Sequence, residues 1–188
     1  MNNDTTLPCL VLGLGNDIAG DDAVGLQVVR EYSRRVAKGS APHAETALSS
    51  ESYLSVLNHI FDYGKVVVVD AVQVGEDDVG RVFRYGLDDA PAQTSRLAHQ
   101  CGLATILALA RRAMKAQGAE VLVVGIGVPA LDHVQLAEGL GKQVTAAIEP
   151  AIAAVAGMVG GAGEVSSGDG AGSTREVGEV AIWATVST

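Results

Sequence analysis

An apolar run that ends in a glycine-rich turn dominates the start of the chain. Residues 10–25 read LVLGLGNDIAGDDAVG. The apolar run predicts a strand over about 8–14, and the apolar residues after the turn, among them Val24, Val28 and Tyr32, predict a helix over about 22–38 because they lie near helical spacing. A strand that turns directly into a helix is the opening unit of an α/β fold.

Two acids in the turn exclude the usual phosphate ligands. Gly15 and Gly20 have the spacing of P-loop glycines, but Asp21 and Asp22 stand where Lys and Ser/Thr should follow. Two carboxylates at the start of a helix would repel a phosphate. The dinucleotide-binding pattern fails as well, because Ile18 occupies its third glycine position. We therefore expect a cation or a peptide at this turn, and either acid as the N-cap of the helix.

Strands and helices alternate along the rest of the chain. The clearest strand is VVVV at 66–69, which lacks polar alternation, is typical of a strand covered by helices on both faces, and ends in Asp70. The other predicted elements are a strand near 43–48, a helix over about 52–62, an edge strand at 80–87, a helix over about 99–117, a strand at 121–127 stopped by Pro129, and a helix over 142–159 kinked or divided at Pro150. This order predicts an α/β fold with a mostly parallel, doubly wound sheet and one antiparallel edge strand.

Charge and composition argue against several partners and compartments. A net charge of -9 over 188 residues disfavours a nucleic-acid or anionic-membrane surface. The first residues, MNNDTTLP, lack the features of a signal peptide, and no segment approaches the roughly 18 apolar residues of a membrane span. Cys9 and Cys101 make neither a disulfide framework nor a C-x-x-C pair, so both are expected to be reduced. We expect a cytoplasmic protein.

The composition changes after Met158. The stretch GGAGEVSSGDGAGST has the content of a flexible linker and is followed by a short apolar end, EVAIWATV. We therefore expect one folded domain over residues 1–159 and a dispensable tail over 160–188.

Three polar residues are predicted to meet at one edge of the sheet. Asp22 follows the first strand, Asp70 ends the VVVV strand and His99 begins a helix. Each residue by itself has an ordinary explanation, as a helix cap, a ligand of loop amides and a surface histidine. In a doubly wound sheet, however, the functional crevice lies outside the carboxyl ends of the strands. Two carboxylates and an imidazole there suit a divalent transition metal with open coordination positions.

This pattern resembles the hydrogenase maturation proteases, cytoplasmic endopeptidases that remove the C-terminal extension of the nickel-containing hydrogenase large-subunit precursor. The resemblance lies in GLGNDIAGDDAVG, VVVVDAV, HQCGLATIL and IEPAI, and it extends over residues 8–159. It implies a single three-layer α/β/α sandwich. It also implies that Asp22, Asp70 and His99 are the metal-binding and catalytic residues. Their metal is nickel supplied by the precursor, for which zinc or cadmium are expected surrogates, and the protein itself is expected to be a monomer.

Two departures from the family pattern keep alternatives open. Residues 48–51 read LSSE where many members have an Asp-Gly-Gly-Ser/Thr turn, and residues 139–141 read GLG in place of Gly-Leu-Ser/Thr. The altered 48–51 turn supports the alternative function, a non-catalytic nickel-sensing or scaffold protein of hydrogenase assembly. A thiol protease is disfavoured, because Cys101 lies two residues from His99 and a helix would point the two side chains apart.

Overall fold

A computed structural model describes residues 9–49, 62–86, 120–129 and 139–161. Its strands are β1 (Cys9–Leu14), β2 (Glu45–Ser49), β3 (Lys65–Gln73), β4 (Val82–Gly86) and β5 (Glu120–Val128), and its α-helices are α1 (Val24–Ala37), α2 (Lys142–Ala146) and α3 (Ile148–Val159). Short 3-10 turns at Gly20–Ala23 and Glu76–Asp78 follow β1 and β3. The described strands and helices agree with the predicted order of elements.

The five strands form one sheet in the order β2-β1-β3-β5-β4. The pairs β1 with β2, β1 with β3, and β3 with β5 are parallel, whereas β4 runs antiparallel to β5 at the edge. The predicted fold class, a mostly parallel α/β sheet with an antiparallel edge strand, is confirmed.

Both faces of the sheet are buried, as the unbroken valine run of β3 predicts. On one face, Val67 and Val69 join a core with residues of α1 and α3, including Tyr32 and Val155. On the other face, Val68 packs with side chains of β1 and β5 in a second core. Burial on both sides explains why the central strands carry so few polar residues, and why a polar residue within β3 is conspicuous.

Neither acid of the first turn caps the helix through its side chain. The turn Gly20–Ala23 is a 3-10 turn, and Ala23 is the N-cap of α1. The prediction that Asp21 or Asp22 is the N-cap is therefore wrong. The 3-10 turn places both acids ahead of α1, so their carboxylates are available for contacts elsewhere.

Two predicted element ends also differ from the structure. The strand that was expected to end in Asp70 continues for three residues, to Gln73, because β5 pairs with it as far as Val128. The last helix is divided as predicted, but at Ala147 rather than at Pro150. A proline cannot donate to the carbonyl four residues earlier and its ring clashes with it, so α2 ends at Ala146 and Pro150 lies in the first turn of α3.

Several predictions fall outside the described residues. They are the helix over about 52–62 apart from its end, the helix over about 99–117 with His99 and Cys101, and the tail beyond Gly161. Within the described ranges, no helix is long and apolar enough to span a membrane.

Candidate active site

The carboxyl ends of β1 and β3 form the crevice of the sheet. From β1 the chain crosses to β2 on one side, and from β3 it continues to β4 and β5 on the other side. Neighbouring parallel strands whose connections diverge in this way leave a cleft at their carboxyl ends. The β1–β3 ladder extends only to Gly13 and Val69, so Asp70 is the first residue of β3 beyond it. Asp22 lies in the turn that follows β1, and this turn contacts β3.

Two glycines allow the turn and helix α1 to approach the strands this closely. Gly15 has a φ of 142°, which other residues rarely adopt, and a Cβ there would collide with the backbone carbonyl oxygen of Asp22. A Cβ on Gly25 would lie 2.5 Å from the carbonyl oxygen of Val69 and closer still to that of Leu14. The glycines of the opening motif are therefore required for close packing, and this packing brings Asp22 towards Asp70.

Asp70 is a buried carboxyl group at the carboxyl end of β1 and β3. The residue is 3% exposed. The backbone N–H of Ala71 donates to Oδ1 at 2.9 Å, whereas the buried Oδ2 atom has no hydrogen-bond partner among the residues that the structure describes. Burial, and then the negative charge of Asp22, raise the pKa of Asp70 to about 8. Folding therefore holds this carboxyl in a place where its ionised form needs a further partner.

Asp22 is the second buried acid of the crevice. It is 7% exposed, and burial raises its pKa, an effect that a hydrogen bond from the Asn16 backbone opposes. Since its charge acts on Asp70, the two carboxylates share one electrostatic environment. Like charges in a buried site favour either a proton on one group or a bound cation between them.

Asp21 makes a contact that the sequence analysis missed. The backbone N–H of Gly141 donates to its Oδ1 at 2.6 Å. Gly141 is the N-cap residue of α2 and brings no side-chain cap of its own, so an acid from the turn accepts a hydrogen bond at the start of that helix. The GLG sequence at 139–141, in place of a family Ser/Thr, was the available signal. The contact ties the turn that carries Asp22 to the last helical segment.

The structure brings together two of the three predicted site residues. His99 lies outside the described residues, so its position relative to the two acids stays a prediction. Within residues 9–49, 62–86, 120–129 and 139–161, no three His, Cys, Asp or Glu side chains come together in a group that could hold a metal ion. The two acids fit a cation as a partial ligand set, because Oδ2 of Asp70 has no hydrogen-bond partner within the described ranges and carboxylate oxygens bind divalent metals.

Several solved structures with a similar fold are those of endopeptidases of hydrogenase maturation. The hydrogenase maturating endopeptidase HybD of Escherichia coli is 22% identical, with a TM-score of 0.61, and the match covers 83% of this chain and 94% of that one. The [NiFe] hydrogenase maturation protease HycI of Thermococcus kodakarensis is 17% identical, with a TM-score of 0.63, and the match covers 84% and 95% of the two chains. The molecule therefore has the α/β fold of these endopeptidases.

Sequence comparison assigns the family. A protein of Methanocaldococcus jannaschii that is provisionally named a hydrogenase maturation protease is 27% identical over 152 residues, which are 80% of this chain and 95% of that protein. The sequence model of the hydrogenase maturation proteases matches residues 51–158. The chain belongs to the hydrogenase maturation protease family, and it is a hydrolase. The matched range includes the positions of Asp70 and His99, whereas Asp22 precedes it.

Proposed function

We propose that this protease removes the C-terminal extension of a nickel-loaded hydrogenase large-subunit precursor and recognises the nickel through Asp22, Asp70 and His99. The nickel belongs to the substrate. A peptide that carries this ion presents both a cation for the crevice and a bond for cleavage nearby.

One observation carries the proposal. Asp70 has a buried oxygen without a hydrogen-bond partner in the described part of the chain, and a second buried acid lies near enough to raise its pKa. An arrangement of this kind is costly in the free protein, because burial disfavours each charge and the two charges repel. A divalent cation relieves both costs. The resemblance adds His99 as the third ligand, and an imidazole completes a set suited to nickel.

The chain's own residues then have separate tasks. Asp22 and Asp70 supply the charge that attracts the ion, and the glycines of the first turn allow it to pack closely against the strands. The contact between Asp21 and Gly141 fixes the turn from the other side. A bound metal polarises a carbonyl or activates a water when it lies beside a peptide bond.

Cleavage of matched precursors tests the proposal. The substrate is the precursor of the hydrogenase whose large-subunit gene lies nearest to this one, purified with and without nickel. We expect cleavage of the nickel-loaded form alone, and insensitivity to inhibitors of serine and cysteine proteases. Asp22→Asn should remove most of the activity and leave the fold intact, because it deletes a ligand charge and keeps the side-chain shape. His99→Ala should behave alike, since ligands of one ion act as a unit.

Asp17→Asn provides the matched control. Asp17 lies in the same loop, but it is exposed and bound to Arg30 through two hydrogen bonds of 2.6 Å. This variant should cleave at the wild-type rate. Equal cleavage of the two precursor forms would refute nickel recognition. Failure of the folded wild-type enzyme to cleave either form would favour the scaffold alternative.

A further inference from the structure

An open groove lies between helix α1 and strand β2, which is at the edge of the described sheet. Its volume is about 260 Å³. This is below the roughly 300–1,000 Å³ of small-molecule sites, so the groove suits the side chains of a peptide. Leu48 of β2 lines it and is 45% exposed, although it is a large apolar side chain. The described residues that line the groove are Val29, Arg30, Ser33 and Arg34 of α1, and Thr46 and Leu48 of β2.

The charged side chains among these lining residues are both arginines. Arg30 is bound to Asp17, and Nη1 of Arg34 donates to Glu31 at 2.9 Å. The Arg34 side chain is nevertheless 66% exposed, and a guanidinium has five N–H donors, so it can bind a second carboxylate. The groove therefore fits a segment that combines apolar and acidic side chains.

The tail of this chain begins near the amino end of β2. Directly after α3, a Cβ on Gly160 would lie 3.6 Å from the side chain of Pro42, which shortly precedes β2. Leu48 is at most about 22 Å from Pro42, because extended chain spans no more than about 3.6 Å per residue. A Gly/Ser-rich linker of about 18 residues, as between positions 161 and 179, has a root-mean-square span of about 23 Å. The segment that follows the linker can therefore reach the groove.

The sequence of that segment matches the groove. Residues 179–186 read EVAIWATV, in which Trp183 is the largest apolar side chain. Acids outnumber basic residues over 162–188, which lie outside the described part of the chain. The acids there are Glu164, Asp169, Glu176 and Glu179, and the basic residue is Arg175. Apolar contact with Leu48 and attraction of the acids to Arg34 both favour binding.

We propose that residues 179–186 bind this groove of their own chain, with Trp183 against Leu48 and with Glu176 and Glu179 near Arg34. The inference goes beyond the proposed function and does not depend on it. A short flexible linker gives a tethered segment an effective concentration in the millimolar range, so a contact with a Kd of about 1 mM is about half occupied. Occupancy at this level adds little to the stability of the domain, in keeping with the small effect on melting that we expect for removal of the tail.

Trp183 is the only tryptophan of the chain, so its fluorescence reports on this segment alone. The test compares acrylamide quenching of Trp183 in the folded wild type and in folded Leu48→Asp. Loss of one apolar contact should lower the occupancy from about half to below about a tenth, so we expect quenching to be about twofold weaker in the wild type. Arg34→Glu is a second variant and should change the quenching in the same direction. Thermal melting checks that both variants are folded.

Two matched controls lie outside the groove. Ile18→Asp places the same charge on another large apolar residue, which is 63% exposed and is not part of the groove lining. Arg84→Glu reverses a charge on β4, at the opposite edge of the described sheet. Both controls should keep the quenching of the wild type.

Three results would overturn the proposal. The first is equal quenching of Trp183 in the wild type and in Leu48→Asp. The second is an equal increase in Ile18→Asp, since the contact would then not be specific for the groove. The third is protection of Trp183 that rises with protein concentration, because the tail would then bind a second copy of the chain. None of these measurements uses a precursor, so they are independent of whether the protein cleaves one.

Discussion

Replacing Asp70 by Asn should stabilise the metal-free protein at neutral and alkaline pH while it removes activity. In the folded state, burial and the charge of Asp22 raise the pKa of Asp70 from 3.8 to about 8. A carboxyl whose pKa is raised by folding binds its proton more tightly in the folded state. Its contribution to stability is therefore fully present below about pH 4, declines as the pH rises, and is lost above about pH 8.

The size of the effect follows from the two pKa values. Across the window between them, the free energy of unfolding should fall by about 1.4 kcal/mol for each pH unit, which amounts to about 4 kcal/mol at pH 7. An amide carries no charge, so Asp70→Asn avoids this loss. It leaves an NH₂ group in place of Oδ2, however, and burying that group costs about 1–3 kcal/mol. We expect a net gain of about 1–3 kcal/mol at pH 7 and no gain near pH 4.

Urea denaturation in the presence of a chelator measures this difference. Wild type and Asp70→Asn are compared between pH 4 and pH 9, and the difference between their free energies of unfolding isolates the Asp70 contribution. Asp17→Asn is the control, because its effect on the free energy of unfolding should change with pH in the opposite direction. The pKa of Asp17 is lowered by its hydrogen bond to Arg30, so Asp17 stabilises above its unfolded pKa and this stability is lost as the pH falls. Because the pair is well exposed, its loss should cost less than about 1 kcal/mol.

A specific outcome would refute the reasoning about Asp70. If the wild type and Asp70→Asn keep the same difference in stability from pH 4 to pH 9, the carboxyl is not held in a desolvated, repulsive site. Zinc offers a second check, since a ligand that binds the folded state raises its stability by mass action. Zinc should stabilise the wild type more than it stabilises Asp70→Asn.

Two further changes test the packing and the domain boundary. Gly25→Ala should destabilise the fold by about 3 kcal/mol and abolish cadmium binding, because its Cβ meets two backbone carbonyls that must move apart. Gly157→Ala is the control: its Cβ would meet open space, so it should stabilise the fold by up to about 1 kcal/mol. Thermal melting measures the stability of both variants, and calorimetry measures their cadmium binding. A Gly25→Ala protein with wild-type stability would contradict the packing argument. A chain that ends at Gly160 should melt within a few degrees of the full chain, because the Gly/Ser-rich tail has few apolar residues to bury; a large fall in melting temperature would show that the tail completes the fold.

The sequence was sufficient for the features that depend on local pattern. Unbroken apolar runs gave the buried strands, helical spacing of apolar residues gave α1, and their alternation gave the class of sheet. Strand direction also predicted that Asp22 and Asp70 lie near the carboxyl ends of β1 and β3, whereas their role in a functional site stays a prediction. The inferences about the fold succeed because side-chain periodicity and strand direction are properties of short segments.

Tertiary structure decided where strands end and which groups meet. Asp70 lies inside β3 because the pairing of β3 with β5 continues beyond the last residue that pairs with β1. The valine run does not determine the length of either partner strand. The bond from Gly141 to Asp21 joins residues 120 positions apart. Register, burial and the charge coupling of the two acids arise only when distant segments pack, so a local pattern cannot specify them.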